Sequence, residues 1–155
     1  MSKTSKLIYL WVTFLFFSFL DFYFSGLIAN YIRFNGSIQN ELVSLIYVKN
    51  TGAAFSILEN KTMLLIVFSL IALFAIFHWT INNIKRLGPV YIFWTSLLCS
   101  GVICNLYERV HFGFVRDFFK LNFVNFPVFN ISDVFINLGV FAILILVITK
   151  QCYKK

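Results

Sequence analysis

The chain has 155 residues, of which 60% are hydrophobic and only 12% are charged, and its mean hydropathy is +0.85. A chain of this length has room for one domain, and its apolar residues are too numerous for the interior of a water-soluble protein. The net charge of +7 does not indicate nucleic-acid binding, because the basic residues are scattered at the ends of apolar segments and form no single polar face.

Four apolar stretches are long enough to cross a bilayer as helices of about 20 residues. They cover approximately residues 7–29, 62–81, 88–107 and 133–149. The sequence therefore predicts an all-α membrane protein, with one domain over residues 1–155 formed by a bundle of four transmembrane helices. The first stretch could instead be a cleaved signal peptide. Its apolar run, however, is longer than the usual core of about 7–15 residues, and no small-x-small cleavage site follows it.

The basic residues predict the orientation of the bundle. Three short segments, residues 3–6, 85–86 and 150–155, carry Lys or Arg and no acidic residue. By the positive-inside rule these segments are cytoplasmic. We therefore expect both termini in the cytoplasm and the two longer loops on the outer side of the membrane.

The two outer loops differ in character. In the first, residues 42–48 are rich in β-branched and aromatic side chains, residues 50–52 are typical of a turn, and residues 53–58 can return as a second strand. This pattern predicts a small external β element. The second loop, about residues 108–132, contains seven phenylalanines among its charged residues, which favours an aromatic segment at the membrane interface.

Carboxylates are the candidate functional groups, because charged side chains at the edge of hydrocarbon are costly to keep. The three aspartates are Asp21, Asp117 and Asp133. Asp21 lies about 21 Å along the first helix, at about 1.5 Å per residue, and so in the outer half of the bilayer. Asp133 opens the fourth helix from outside and Asp117 precedes it in the loop, so all three can lie at one depth. The best-known chemistry of two close aspartates is activation of water for peptide hydrolysis.

Polar residues extend this cluster. Asn105 and Arg109 share a face at the outer end of the third helix, as do Asp133 and Asn137 on the fourth. Arg109 can order the site or contact a lipid phosphate, and both interpretations stay open. Asn130 is predicted to cap the fourth helix, with Asp133 in its first turn.

Most of these residues also have a purely structural interpretation. Asp133 can serve only as a partner of the helix dipole, and Asp117 can form a surface ion pair with Arg116. Asn50 and Gly52 can be plain turn residues.

The histidines and cysteines do not indicate a site. His78 and His111 have no second ligand at metal spacing, so we expect packing or interfacial roles. Cys99, Cys104 and Cys152 form neither a disulfide framework nor a metal spacing, and we interpret them as small apolar residues.

Three blocks of sequence, in order and between the predicted spans, resemble those of one known family. They are Asn50-Thr51-Gly52-Ala53-Ala54-Phe55, Val115-Arg116-Asp117-Phe118 and Phe126-Pro127-Val128-Phe129-Asn130-Ile131-Ser132-Asp133. The first resembles an Asn-x-Gly-Ala-Ala-Phe block and the other two resemble catalytic segments. The family is that of the bacterial lipoprotein signal peptidases, or signal peptidase II, aspartyl proteases with four membrane helices. The likeness covers almost the whole chain.

The resemblance implies that Asp117 and Asp133 are the catalytic dyad. Six further positions match the family's supporting residues: Asp21 in the first helix, Asn50, Gly52, Asn105, Arg109 and Asn130. Asn50 has no titratable proton, so it is expected to hold backbone or substrate by hydrogen bonds and to leave the apparent pKa values of the dyad unchanged. Four positions depart from the family's usual residues: Ser25 replaces Lys, Cys104 replaces Gly, Glu108 replaces Asp and Ser132 replaces Ala.

The implied activity is that of an aspartic endopeptidase that removes the signal peptide from diacylglyceryl-modified prolipoproteins by cutting before the lipidated cysteine. No metal or cofactor is implied. The expected partners are the prolipoprotein substrate and membrane lipids, with no nucleic acid, and the protein is expected to be a monomer. Its expected place is the bacterial cytoplasmic (inner) membrane, with the active site at the outer leaflet.

Two other interpretations stay open. The chain could be a catalytically degenerate member of the family, or a small membrane transport or assembly protein that uses the same bundle. A transporter normally places its ionisable groups near the midplane and interrupts its spans with Gly or Pro. Residues 62–81 contain neither, and the aspartates lie near one end of the spans.

Overall fold

The computed structural model describes residues 1–53 and 58–149. They form four helices, α1 (Lys3–Asn35), α2 (Thr62–Asn83), α3 (Pro89–Phe112) and α4 (Ile131–Ile148), and two strands, β1 (Val43–Asn50) and β2 (Val115–Leu121). Each of the four helices is long and apolar enough to cross a membrane. The predicted fold, a bundle of four transmembrane helices with a small β element, is confirmed.

The helices match the predicted apolar stretches, and α1 extends beyond its stretch at both ends. α1 has 33 residues, or about 50 Å at about 1.5 Å per residue, and so exceeds the roughly 30 Å of hydrocarbon in a bilayer. Its first turn is capped by Ser2, whose side chain accepts a hydrogen bond from the backbone N–H of Ser5. α3 begins at a proline and ends at Gly113, whose φ of 82° is a conformation that favours glycine.

α3 is the central helix of the bundle. In the most apolar 18 residues of α3, 61% are buried, compared with 17%, 11% and 17% in the corresponding segments of α1, α2 and α4. The exposed surface of these three helices is therefore available to lipid. The approach of α3 to α4 requires glycine: a Cβ on Gly101 would lie 2.5 Å from the carbonyl oxygen of Ser132, and one on Gly139 would lie 2.7 Å from Cβ of Leu98. The backbones of α3 and α4 are thus in close contact where α4 begins.

The ends of the helices that carry the predicted cytoplasmic segments are held by a buried lysine. Lys6 is buried, and its Nζ donates hydrogen bonds to the carbonyl oxygens of Lys85 at 3.0 Å and Leu87 at 2.6 Å. An apolar cluster that includes Leu10 and Leu146 packs beside it. These contacts fix α1 against the connection between α2 and α3.

The two strands form an antiparallel sheet that joins the loop between α1 and α2 to the loop between α3 and α4. Its register pairs Val43 with Leu121 and Asn50 with Val115, with an irregularity between Leu45 and Val48. Among the described residues, β1 therefore pairs with β2 of the second loop. Residues 54–57 of the predicted return strand lie outside the described residues.

Pairing of β2 with β1 buries an aromatic side chain of the second loop. Phe118 is completely buried, and its ring lies 6.0 Å from that of Tyr47 on β1, measured between centroids. The backbone of the segment that leads to α4 returns to the same strand, since the N–H groups of Phe118 and Phe119 both donate to the carbonyl oxygen of Phe129. Consequently β2 and the start of α4 are held together.

Candidate active site

The two candidate catalytic carboxylates come from different elements. Asp117 lies in β2, where it is paired with Val48 and only 1% exposed. Asp133 is the third residue of α4, and its side chain takes part in a capping box: Asn130 Oδ1 accepts the N–H of Asp133 at 2.8 Å, and Asp133 Oδ2 accepts the N–H of Asn130 at 3.2 Å. The predicted cap at Asn130 is confirmed.

Asn130 connects the two carboxylates. Its Nδ2 donates to Asp117 Oδ1 and to Asn105 Oδ1, each at 3.0 Å. Asn105 in turn donates from Nδ2 to Asp133 Oδ1 at 2.9 Å. The structure therefore brings Asp117 and Asp133 into one hydrogen-bonded network, and Asn130 and Asn105 are its links.

The turn after β1 is attached to the same network. Asn50 donates from Nδ2 to Asp117 Oδ2 at 2.9 Å, and its Oδ1 accepts the N–H of Gly52 at 2.9 Å. Arg109 donates from Nη2 to the carbonyl oxygen of Gly52 at 2.9 Å. Of the two interpretations of Arg109, the geometry favours the one in which it orders the site.

Asp21 lies beside this network rather than in it. It is buried in α1, where Oδ1 accepts a hydrogen bond from Ser25 at 2.9 Å and Oδ2 accepts one from Ser132. It does not belong to the described residues that line the cavity of the site. Asp21 is instead connected to the start of α4 through Ser132, the neighbour of Asp133.

A cavity of about 1040 Å³ opens over the two aspartates. Its polar wall holds the network and its rim is apolar. The polar wall includes Asn50, Gly52, Asn105, Arg109, Asp117 and Asp133. The apolar rim includes Phe126, Pro127, Val128, Phe129, Ile136 and Leu138. An apolar lining with a few convergent polar groups is typical of a ligand-binding cavity.

The electrostatics of the site set Asp117 apart. Burial, together with the smaller effect of the nearby charge of Asp133, raises the pKa of the Asp117 carboxyl from its ordinary value of 3.8 to about 7, against the opposing effect of the hydrogen bond from Asn50. Arg116 does not neutralise Asp117. The interpretation of Asp117 as a surface ion pair with Arg116 is wrong, because Asp117 is buried and Arg116 pairs with Glu108.

The pair formed by Glu108 and Arg116 is a part of the site that the sequence did not predict. Glu108 Oε1 accepts hydrogen bonds from Nη2 of Arg116 at 2.6 Å and from Nε at 2.9 Å, and Oε2 accepts the backbone N–H of Arg116 at 2.7 Å. The guanidinium also lies 4.8 Å from the centroid of the Phe112 ring. These contacts fix the peptide that precedes Asp117. The available signal was the opposite charges on either side of Gly113, which ends α3.

The histidines and the two described cysteines lie outside the network. His78 is hydrogen-bonded to Asn82, and His111 stacks on Tyr107 with an angle of 9° between the rings, so both have packing partners. Cys99 and Cys104 are buried and free. Cys152 lies outside the described residues.

The sequence matches characterised proteins over most of its length. The family model described as Signal peptidase (SPase) II matches residues 13–149. The chain is 39% identical over 121 residues to a lipoprotein signal peptidase of Lactiplantibacillus plantarum, in a match that covers 77% of this chain and 78% of that protein. It is 37% identical over 109 residues to a lipoprotein signal peptidase of Enterococcus faecalis, covering 70% and 67% of the two chains.

The fold matches solved structures of bacterial membrane enzymes. One, determined by the in meso method at 2.3 Å resolution, superimposes with a TM-score of 0.76 at 25% identity and covers 92% of this chain and 88% of its own. Another, determined by the same method at 1.9 Å resolution, gives a TM-score of 0.74 at 27% identity and covers 89% and 91%. With the family model matched from residue 13 to residue 149, these likenesses show that the chain belongs to the signal peptidase II family of membrane proteases.

Proposed function

We propose that this protein is an aspartic endopeptidase that removes the signal peptide from diacylglyceryl-modified prolipoproteins and cuts before the lipidated cysteine. Membership of the signal peptidase II family supports the removal of signal peptides from prolipoproteins. The observation that carries the aspartic mechanism is the bond from Asn130 to Asp117, because Asn130 also caps the turn that holds Asp133. Asp117 and Asp133 are the proposed catalytic residues.

The proposed mechanism uses one proton shared by the two carboxylates. Close carboxylates do not readily both ionise, and the apparent pKa values belong to the pair. Because the pKa of Asp117 is raised to about 7, we assign the shared proton to Asp117 and the role of base to Asp133. Asp133 takes a proton from water while the oxygen of that water bonds to the scissile carbonyl carbon. At the same time Asp117 gives its proton to the carbonyl oxygen.

The tetrahedral intermediate then breaks down to products, with the acid and base roles of the two aspartates exchanged. Asp133 passes its proton to the leaving nitrogen as the C–N bond breaks, and Asp117 recovers its proton from one of the two hydroxyl groups. Both residues return to their starting states, and the products are a free amine on the cysteine and a carboxylic acid on the signal peptide. Asn50, Asn105 and Asn130 hold the carboxylates throughout this cycle, since each donates an N–H to one of them.

The surroundings of the dyad suit a substrate that arrives from the membrane. The cavity lies where α3 ends and α4 begins, and the aromatic segment around Phe126 and Phe129 forms part of its apolar rim. Phe123 and Phe126 are 67% and 46% exposed, as expected of side chains at a lipid interface. A diacylglyceryl group can therefore stay in the bilayer while the peptide next to it enters the cavity.

The test is cleavage by the purified protein. In detergent, the protein is expected to convert a diacylglyceryl prolipoprotein into two products whose masses place the cut before the modified cysteine. The same precursor without its lipid should be cut much more slowly. If well-folded protein leaves both precursors intact, this member of the family is catalytically degenerate and the proposal fails.

The rate should depend on pH through Asp117. Because the proposed mechanism needs Asp117 protonated, kcat/KM should fall as the pH rises through about 7, where this carboxyl loses its proton. In Asn50→Ala the hydrogen bond that lowers the pKa of Asp117 is lost, so this alkaline limb should move to higher pH. The earlier expectation of unchanged pKa values is replaced, since Asn50 donates to the carboxylate itself.

The same variant should also be slower. Leaving a buried partner without its hydrogen bond costs about 1–3 kcal/mol, so the rate should fall by roughly ten- to a hundredfold. The control is Asn122→Ala, which removes an amide that bonds to Asn40 and Ser44 at the other end of the sheet. An equal limb shift in Asn122→Ala, or none in Asn50→Ala, would contradict the role of Asn50.

We further propose that both termini are cytoplasmic and that the cavity opens at the outer leaflet, because the acid-free basic segments lie at the other ends of the helices. Single cysteines at two exposed positions, Ser37→Cys in the first loop and Lys120→Cys in β2, should react with a membrane-impermeant thiol reagent in intact cells, in a protein lacking the three native cysteines. Ser37 is used in preference to the adjacent Gly36, because the φ of 80° at Gly36 would strain a cysteine placed there. Lys85→Cys should react only after lysis. Labelling of Lys85→Cys alone in intact cells would show the opposite orientation and contradict the proposed topology.

A further inference from the structure

Ser132 is the residue before Asp133, and it makes contacts on two sides. Its hydroxyl donates to the carboxylate of Asp21 on α1, and it is only 3% exposed. Its carbonyl oxygen faces α3, where a Cβ added to Gly101 would lie 2.5 Å away. The first turn of α4 is therefore held against α1 through a side chain and against α3 through the backbone.

Asp21 has one carboxylate oxygen available to accept the hydrogen bond from this hydroxyl. The carboxylate is 2% exposed and lies in a transmembrane helix, where an unsatisfied oxygen is costly. Ser25, one turn further along α1, bonds to Oδ1 at 2.9 Å and leaves Oδ2 for Ser132. α1 and α4 also touch through the edge-on rings of Phe17 and Phe135, whose centroids are 5.3 Å apart. The polar contact thus sits at the end of this interface that is next to the dyad.

We propose that Ser132 is a positioning residue: its hydrogen bond to Asp21 across the α1–α4 contact fixes the rotation of the first turn of α4 and so the direction of the Asp133 carboxylate. Successive residues of a helix point about 100° apart, so Ser132 can face α1 while Asp133 faces Asn105 and the cavity. A reacting group must be held within about 0.5 Å of its working position. A single buried hydrogen bond beside Asp133 therefore affects the rate.

This inference rests on the proposed function, in which Asp133 is the base. Loss of the hydroxyl in Ser132→Ala should lower kcat by about tenfold and change KM by less than about twofold, because the cavity wall is untouched while the base is misplaced. Asp21→Ala should lower kcat by a similar factor. The variant with both changes should be no slower than either alone, since both remove the same bond.

Two further variants separate positioning from other roles. Ser25→Ala removes the other hydroxyl on Asp21 but leaves α4 attached, so it should keep kcat within about twofold of the wild-type value. Asp21→Asn keeps two hydrogen-bonding atoms for Ser25 and Ser132, although it cannot carry a shared proton. It should therefore be much more active than Asp21→Ala. A loss in Asp21→Asn as complete as that in Asp133→Asn would overturn the proposal, because it would give Asp21 a catalytic role.

Hydrogen exchange gives a readout that does not need activity. The N–H of Asp133 donates to the side chain of Asn130 in the capping box, and the N–H of Val134 donates to the carbonyl oxygen of Asn130. The exchange of both in detergent should be faster in Ser132→Ala than in the wild type or Ser25→Ala. Unchanged exchange and unchanged kcat in Ser132→Ala would overturn the positioning role. Absence of cleavage by the wild type itself would reject the proposed function, and the exchange measurement would still decide whether Ser132 holds the turn.

Discussion

Asp117→Asn and Asp133→Asn are each expected to reduce the cleavage rate by at least about 10⁴-fold while the protein remains folded. An amide keeps the shape of the carboxyl group, but it can neither hold the shared proton nor accept one from water. Initial rates with a diacylglyceryl prolipoprotein, measured at a pH below the pKa of Asp117, and thermal unfolding in detergent give the two readouts.

The control for this prediction is the same chemical change at an exposed carboxylate. Glu41 lies in the first loop, outside the residues that line the cavity, so Glu41→Gln should cleave at the wild-type rate. Substantial activity in folded Asp117→Asn or Asp133→Asn would remove that residue from the proposed dyad.

Asn130→Ala is expected to have the second-largest effect. The change removes the cap of α4, the bond to Asp117 Oδ1 and the bond to Asn105 Oδ1. Loss of an N-cap costs about 1 kcal/mol of stability. Two unsatisfied buried oxygens cost about 1–3 kcal/mol each, so the rate should fall by roughly a hundred- to a thousandfold.

Asn130→Ser separates the cap from the link between the carboxylates. Serine caps a helix about as well as asparagine, but its single hydroxyl cannot replace the amide that reaches both Asp117 and Asn105. The serine variant should therefore unfold at nearly the wild-type temperature and be nearly as slow as Asn130→Ala. Recovery of both stability and rate in Asn130→Ser would show that Asn130 acts only as a cap.

The parts of the fold that depend on local sequence could be predicted. Each transmembrane helix is a continuous apolar run, and a backbone in hydrocarbon must satisfy its hydrogen bonds within the segment, so the run alone defines the element. The cap at Asn130 was predictable for the same reason, since its partner Asp133 is only three residues away.

The parts that depend on distant pairing could not be predicted. The strand predicted at residues 42–48 was expected to have a return strand at residues 53–58 of its own loop, because the turn residues between them favour a hairpin. Its partner among the described residues, β2, lies beyond two transmembrane helices. Recognition of β2 would have corrected a further expectation: neighbouring residues in a strand point to opposite faces, so Arg116 and Asp117 are poorly placed to pair.

The polar contacts of the site show the same division. Asn50 and Asp117 are 67 residues apart in sequence, and Ser132 and Asp21 are 111 apart, so neither bond has a local signal. The residue types were informative all the same, because buried carboxylates must find donors. The sequence could identify which side chains need partners, and only the packing of the helices decides which partners they find.

The most direct test of the shared-proton mechanism compares Asp117→Asn, Asp133→Asn and the variant with both changes in one cleavage assay. If the two carboxylates act as one unit, the three residual rates should agree within about a few-fold, since removal of either member already abolishes the chemistry. Independent contributions would instead make the double variant slower by the product of the two single losses. That result, or residual rates that differ widely between the single variants, would contradict an aspartic dyad formed by Asp117 and Asp133.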